Sequence, residues 1–236
     1  MNNIDYALGT HTGLVRELNE DSYLALPELG LWVIADGMGG YEAGEVASYI
    51  TISEIAHSIE QGMSLTAAIE TAHRAIQSAA LQGEGSVDMG STVVAVKIEG
   101  LRYEIAWVGD SRAYLWNGTL NQLTTDHSYV QLLLNAGLIT VSEVSTHPSR
   151  NIISQALGAG GLDKTNIKID LVYGELAEGD ALLLCSDGLS SEVSDNRVAS
   201  ILSETTNNQA RVDCLITTAL KAGGKDNVTV IIVTVI

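Results

Sequence analysis

Phenylalanine is absent from this chain of 236 residues, and the eight tyrosines and three tryptophans are its only large aromatics, so the core must be chiefly aliphatic. Lysine and arginine are scarce. Twelve of them face 29 Asp and Glu, a formal net charge of −17. That excludes a nucleic-acid binder held by its own basic surface, because phosphate contacts need clustered Lys and Arg. It also disfavours a polybasic membrane anchor. Cysteine occurs twice, at Cys185 and Cys214, each inside an apolar periodic segment. This is no disulfide framework, and both read as small buried hydrophobes. No stretch approaches the roughly 20 apolar residues of a membrane helix. Met1–Asp5 has neither the basic nor the apolar region of a signal peptide. The expectation is a cytoplasmic monomer with no nucleic-acid or membrane partner. Only two prolines occur, Pro27 and Pro148, and there is no Pro/Ser-rich linker or repeat, so residues 1–236 are expected to form one domain. With 46% hydrophobic and only 17% charged residues, the chain is not a disordered acidic tail.

What is present is a change of period along the chain. Ser22–Pro27 and Gly30–Ala35 are short strand-like runs joined at Glu28-Leu29. Ile52, Ile55, Ala56 and Ile59 predict a helix over about 42–60, and a second runs from Ser64, a good N-cap, to about Gln82. The period then drops to two, predicting strands at 91–98, 102–108, 112–116 and 119–123. Glu99-Gly100 and Asn117-Gly118 serve as turns. Residues 127–165 are mixed. Strands are predicted at 167–172, 180–185 and 228–235, and helices at 193–203 and 208–222. This order is not the strict alternation of a doubly wound parallel fold, and antiparallel sheets covered by helix pairs fit better.

Aspartates recur at the ends of these strands beside glycine. Asp36-Gly37 closes Trp32-Val33-Ile34-Ala35, Gly109-Asp110 follows Ile105–Val108, and Asp187-Gly188 follows Leu182–Cys185. Asp226 precedes Val228-Thr229-Val230, and Asp21 precedes Tyr23–Leu26 within Arg16-x-x-Asn19-Glu20-Asp21. One such Asp is a turn residue. Five suggest convergence if the strand ends meet. Carboxylates that close repel and need cations or protons to coexist. An oxygen-only donor set suits Mg²⁺ or Mn²⁺, and the lack of Cys or His among the clusters argues against zinc. Two such metals generate a nucleophile and clamp an in-line phosphoryl displacement. Arg16 is a candidate for the phosphate dianion.

Together the motifs resemble the PPM, or type 2C, metal-dependent Ser/Thr protein phosphatases of the compact bacterial kind. The ordered set runs through Arg16-x-x-Asn19-Glu20-Asp21, Val33–Gly40, Asp88–Thr92, Val108–Arg112, Thr125-Asp126-His127, Leu184–Gly188 and Gly224–Thr229, essentially the whole chain. The resemblance implies an α+β fold. It would be a four-layer α-β-β-α sandwich of two central antiparallel sheets between helix pairs, with a small flap over about 127–163. It implies two core Mn²⁺ or Mg²⁺ ions bridged by Asp36. Asp187 and Asp226 would complete the first ion's protein ligands, and the Gly37 carbonyl would bind the second. Glu20 and Asp21 would bind or orient water there, and Asp110 with Asp187 would hold a third, weaker ion. Arg16 would grip the phosphate of phosphoserine or phosphothreonine, and the bridging hydroxide would attack in line without a phosphoenzyme. The substrates implied are phosphoproteins made by a bacterial Ser/Thr kinase. Relatives carry a His after the bridging Asp-Gly, or just after Met-Gly-Gly. Here those positions are Met38 and Tyr41, which leaves a metal-bound water or Tyr41 as the candidate proton donor, with Tyr41 also a candidate substrate contact. His127 reads as structural, and His11, His57, His73 and His147 as surface or helix-face residues. Two other classes stay open: a module that sequesters a phosphoprotein without turnover, and a phosphatase of anti-sigma-factor antagonists.

Overall fold

Two antiparallel sheets stack face to face. The computed structural model describes residues 4–39, 43–160, 167–205 and 207–236. In the five-stranded sheet, β1 (Ile4–His11) pairs with β11 (Val228–Val235), followed by β10 (Ala181–Cys185), β7 (Arg112–Trp116) and β8 (Leu120–Gln122). The other sheet runs β2 (Asp21–Leu26), β3 (Leu31–Met38), β5 (Val93–Glu99), β6 (Arg102–Val108) and β9 (Asp170–Glu175), with the short β4 (Gly90–Ser91) on the end of β3.

The central strands are apolar at nearly every position because both of their faces are buried. On β3, Leu31 and Val33 face α1 (Ala43–Glu60) and α2 (Leu65–Gln82), joining a core with Ile55, Ile69, Ala72 and Ile76. Trp32 and Ile34 point the other way, into the core between the sheets, where they meet Trp107, Leu182, Leu184, Ile231 and Val233. On β10, Leu183 and Cys185 face α6 (Asp195–Glu204) and α7 (Asn208–Ala222), with Ile201, Val212 and Leu215. Three apolar layers thus separate four layers of structure, the α-β-β-α sandwich expected. Ser64 caps α2 by accepting from Ala67 N–H at 3.3 Å, as its position before the apolar stripe requires.

Several local expectations change. Strand β1 has no counterpart in the sequence-based reading, because Asp5, Gly9 and His11 mask its pattern and only Ala7 is buried. The 27–30 connection is a short 3-10 turn, Pro27–Leu29, closed by Gly30 in the left-handed region at φ 63°. The expected strand 91–98 is broken at Thr92, and the strand expected at 167–172 is Asp170–Glu175. The helix expected at 193–203 is Asp195–Glu204, preceded by the one-turn α5 (Asp187–Ser190). His73 is buried, where it accepts from Gly158 N–H at 2.9 Å. The 127–160 segment carries α3 (Tyr129–Asn135) and α4 (Val141–Val144). The end of the expected flap, 161–163, lies outside the described residues. Among those described, no helix is long and apolar enough to cross a membrane.

Candidate active site

The strand-end aspartates lie at one edge of the sandwich. Asp21 opens β2 and pairs across the ladder with Asp36 on β3. Asp187 opens α5 directly after β10, Asp226 precedes β11, and Asp110 sits in the turn between β6 and β7. Asp36 therefore feels the charges of Asp21, Asp187, Asp110 and Asp226 together.

Burial is the first cause of the upward shift in the pKa values of Asp21, Asp36, Asp110 and Asp187, and mutual repulsion adds to it. Asp21 is pushed up to about 7, Asp110 to about 8 and Asp187 to about 6. Asp36 is raised well above the carboxylate range, and Glu20 is raised too, again by burial first. Asp21 Oδ2 accepts from Thr229 Oγ1 at 2.7 Å and Ser186 Oγ at 2.8 Å, while its buried Oδ1 has no partner. Asp110 Oδ1 is also buried and unpartnered. Hard divalent cations are the natural partners of such oxygens, and the donor set fits them. Among the described residues no three carboxylate, His or Cys side chains close around one point as a ready cage.

The backbone around Asp36 is fastened. Its N–H donates to Thr92 Oγ1 at 3.1 Å, and its carbonyl accepts from Thr92 N–H at 2.8 Å and Ser91 Oγ at 3.2 Å. This locking explains the break between β4 and β5. Gly37 must be glycine because a Cβ there would strike the carbonyl oxygens of Gly44 and Glu20. The Glu20 carboxylate accepts from Gly44 N–H in the first turn of α1, a favourable place for negative charge.

Arg16 reaches the site from the β1–β2 loop and donates to Asp226 Oδ2 at 2.6 Å, its side chain still half exposed. Asn227 ties this loop down. Its Oδ1 accepts from Glu20 N–H at 2.8 Å, and its Nδ2 donates to the carbonyls of Thr12 at 2.8 Å and Leu18 at 2.9 Å. Sequence reasoning assigned no role to Asn227, Thr229, Ser186 or Thr92. The available signal was a hydroxyl at position 229 within the otherwise apolar stretch 228–233 of β11, where a buried polar group needs a partner.

Arg112 forks onto Asp126, with Nε–Oδ1 at 2.9 Å and Nη2–Oδ2 at 2.7 Å. His127 accepts from Gly109 N–H at 3.1 Å through Nδ1, with Nε2 3.2 Å from Asp170 Oδ2. Gly109 is at φ +109°, and the next residue is Asp110. The residues that open the flap segment thus fasten the Asp110 turn, and His127 is structural there. Asp110, Arg112, Asp126, Asp187 and Arg150 line a cavity of about 190 Å³ between this turn and the flap segment. Met38 is half-buried and has no proton to donate. Tyr41 lies outside the described residues.

Fold and site define an α-β-β-α sandwich of the kind that gathers carboxylates at its sheet ends. Residues 9–222 match the family model of protein phosphatase 2C, and the chain belongs to that family. It is 42% identical over 240 residues to the serine/threonine protein phosphatase PstP of Mycobacterium tuberculosis, covering 98% of this chain but 45% of that protein. It thus spans about half the length of that relative. The serine/threonine phosphatase stp of Listeria welshimeri is 37% identical, covering 95% of this chain and 93% of its own. A crystal structure of the PstP catalytic domain in complex with two manganese ions superposes with a TM-score of 0.87. It is 36% identical and covers 99% of this chain and 98% of its own.

Proposed function

We propose that this chain is a metal-dependent protein serine/threonine phosphatase, acting on phosphoserine and phosphothreonine by one in-line attack of water without a phosphoenzyme. The observation that carries this is the meeting of carboxylates from both sheets, with unpartnered oxygens on Asp21 and Asp110, beside a half-exposed Arg16.

In this reading Asp36 would be the ligand common to two Mn²⁺ or Mg²⁺ ions, with Asp187 and Asp226 helping to hold one and the Gly37 carbonyl the other. Glu20 and Asp21 would bind or orient water, and Asp110 with Asp187 would hold a third, weaker ion. When bound, such ions supply an activated water and offset the charge that builds on the transferring phosphoryl group. The chain's own residues do the rest. Arg16 turns its free donors to the phosphate dianion, a planar fork suited to two oxygens at once. The Asn227 clamp holds the loop that carries Arg16, so binding energy is not spent on ordering it. Thr229 and Ser186 fix one oxygen of Asp21 and leave the other to accept from water. Tyr41 is the candidate contact for the phosphate or leaving group, on its place in the sequence alone.

The PstP and stp names support phosphoprotein substrates. A cytoplasmic monomer that reverses a Ser/Thr kinase, with residues 1–236 as one catalytic domain and 127–163 as its flap, completes the reading. The test is phosphate release from p-nitrophenyl phosphate and a phosphothreonine peptide with Mn²⁺, compared with EDTA and with Asp36→Asn. Release abolished by both supports the proposal. Release that survives both overturns it, and tight phosphopeptide binding without release would assign a binding module instead.

A further inference from the structure

The loop that carries Arg16 is unusual in being both pinned and greasy. Leu14 and Val15 are each 66% exposed and Leu18 is 44% exposed, on either side of Arg16. Single exposed apolar residues are ordinary, but three within five residues on an ordered loop are not. The loop's order comes from its backbone. Leu14 N–H donates to Gly224 O at 2.7 Å, and Asn227 holds the carbonyls of Thr12 and Leu18. Gly13, at φ +85°, lies against the carbonyls of Gly224 and Asp226, too close for a Cβ. The side chain of Leu14 lies over Gly224, where a Cβ would come within 2.9 Å of its Cγ. Gly224 is two residues from Asp226, the partner of Arg16. An exposed aliphatic pair on a fixed backbone therefore precedes Arg16 directly in the chain, with Leu14 over the segment that carries Asp226.

We propose that Leu14, with Val15 beside it, is a specificity-determining residue that seats an aliphatic or aromatic side chain within two positions of the phosphoresidue. The inference rests on the phosphatase reading, since it is Arg16 that brings the phosphoresidue, and hence its chain neighbours, to this pair. A preformed apolar surface binds such a side chain without first ordering itself. Hydrophobic contacts of this size discriminate substrates by roughly tenfold or more.

The experiment compares two phosphothreonine peptides that differ only in having Leu or Ser at the two positions on each side, with p-nitrophenyl phosphate as a reference without flanking residues. The Mn²⁺-loaded wild type is expected to favour the Leu-flanked peptide by about tenfold in kcat/KM, mostly through KM. In Leu14→Ser/Val15→Ser that preference should fall to near unity, and Leu14→Met should retain most of it. Equal kcat/KM on both peptides in the wild type overturns the proposal, as does a preference unchanged in the double variant. A concentration-dependent dimer that Leu14→Ser dissolves, with peptide preference unaltered, assigns the patch to self-association and also overturns it. A wild type inactive on p-nitrophenyl phosphate overturns the phosphatase reading and this inference with it. Activity on that reagent without a peptide preference removes this inference alone.

Discussion

Asp36 and Asp187 come from different sheets, one on β3 and one just past β10, and their carboxyls act directly on each other's ionisation. Burial among like charges makes the cation-free fold keep a proton on Asp36 that the unfolded chain releases at neutral pH, at a cost to stability. Asp36→Asn keeps a hydrogen-bonding group and removes the titrating carboxyl. The cation-free protein should then melt a few degrees higher than the wild type, while phosphate release falls by about 10³-fold or more. Differential scanning fluorimetry in EDTA and a p-nitrophenyl phosphate assay in Mn²⁺ read the two arms. A variant that melts lower in EDTA contradicts the repulsion.

The raised carboxyls set a pH dependence whose sign is fixed. Their folded pKa values lie above the unfolded value of about 3.9, so the fold keeps protons that the unfolded chain has released. This stability is full below about pH 4 and is lost as pH rises through the values of about 6 for Asp187, 7 for Asp21 and 8 for Asp110. Each group contributes a slope of about 1.4 kcal/mol per pH unit across its window. Melting in EDTA should occur at lower temperature at pH 8 than at pH 5. Mn²⁺ should raise the melting point more at pH 8, because cations and protons compete for the same oxygens. Equal melting at both pH values without cations removes the account.

Asn227→Ala deletes three hydrogen bonds that anchor the Arg16 loop. At about 1 kcal/mol each, the expected loss is about 2–4 kcal/mol in urea unfolding. The loosened Arg16 should raise KM for a phosphopeptide by about tenfold, with a smaller effect on kcat. A change in stability with KM untouched would show that Arg16 does not depend on the clamp.

Arg112→Lys replaces a two-pronged, largely buried contact to Asp126 with a single ammonium. Lysine cannot reproduce the fork, so a loss of about 1–3 kcal/mol is expected. The same pair supports the Asp110 turn, so the Mn²⁺ concentration needed for half-maximal activity should also rise. Calorimetric melting and a Mn²⁺ titration check both.

Local signals were legible where pattern and chemistry agree. The apolar stripe and Ser64 cap of α2, the apolar runs of β6 and β10, and the Asp-Gly turns after those two strands appear where the sequence places them, whereas β3 runs on through Asp36-Gly37 to Met38 and β2 opens at Asp21 itself. Strand β1 was not legible, because Gly9 and His11 have poor strand propensity. It forms through eight residues of pairing with β11 and the packing of Gly9 against Val212 and Ile216 of α7. Asn227 lies within the Gly224–Thr229 motif, yet its role depends on backbone groups more than two hundred residues away.

By itself, the sequence determined which residues end strands, that those residues are carboxylates and not thiols or imidazoles, and that the interior would be aliphatic. These follow from side-chain chemistry and period, which are local. Only the tertiary structure decided that carboxylates from two separate sheets would meet, which oxygens would lack partners, and that the Arg16 loop would be pinned with its apolar side chains in water. Those outcomes depend on how the sheets stack and on their register, where one residue of slip would turn Asp21 and Asp36 away from each other.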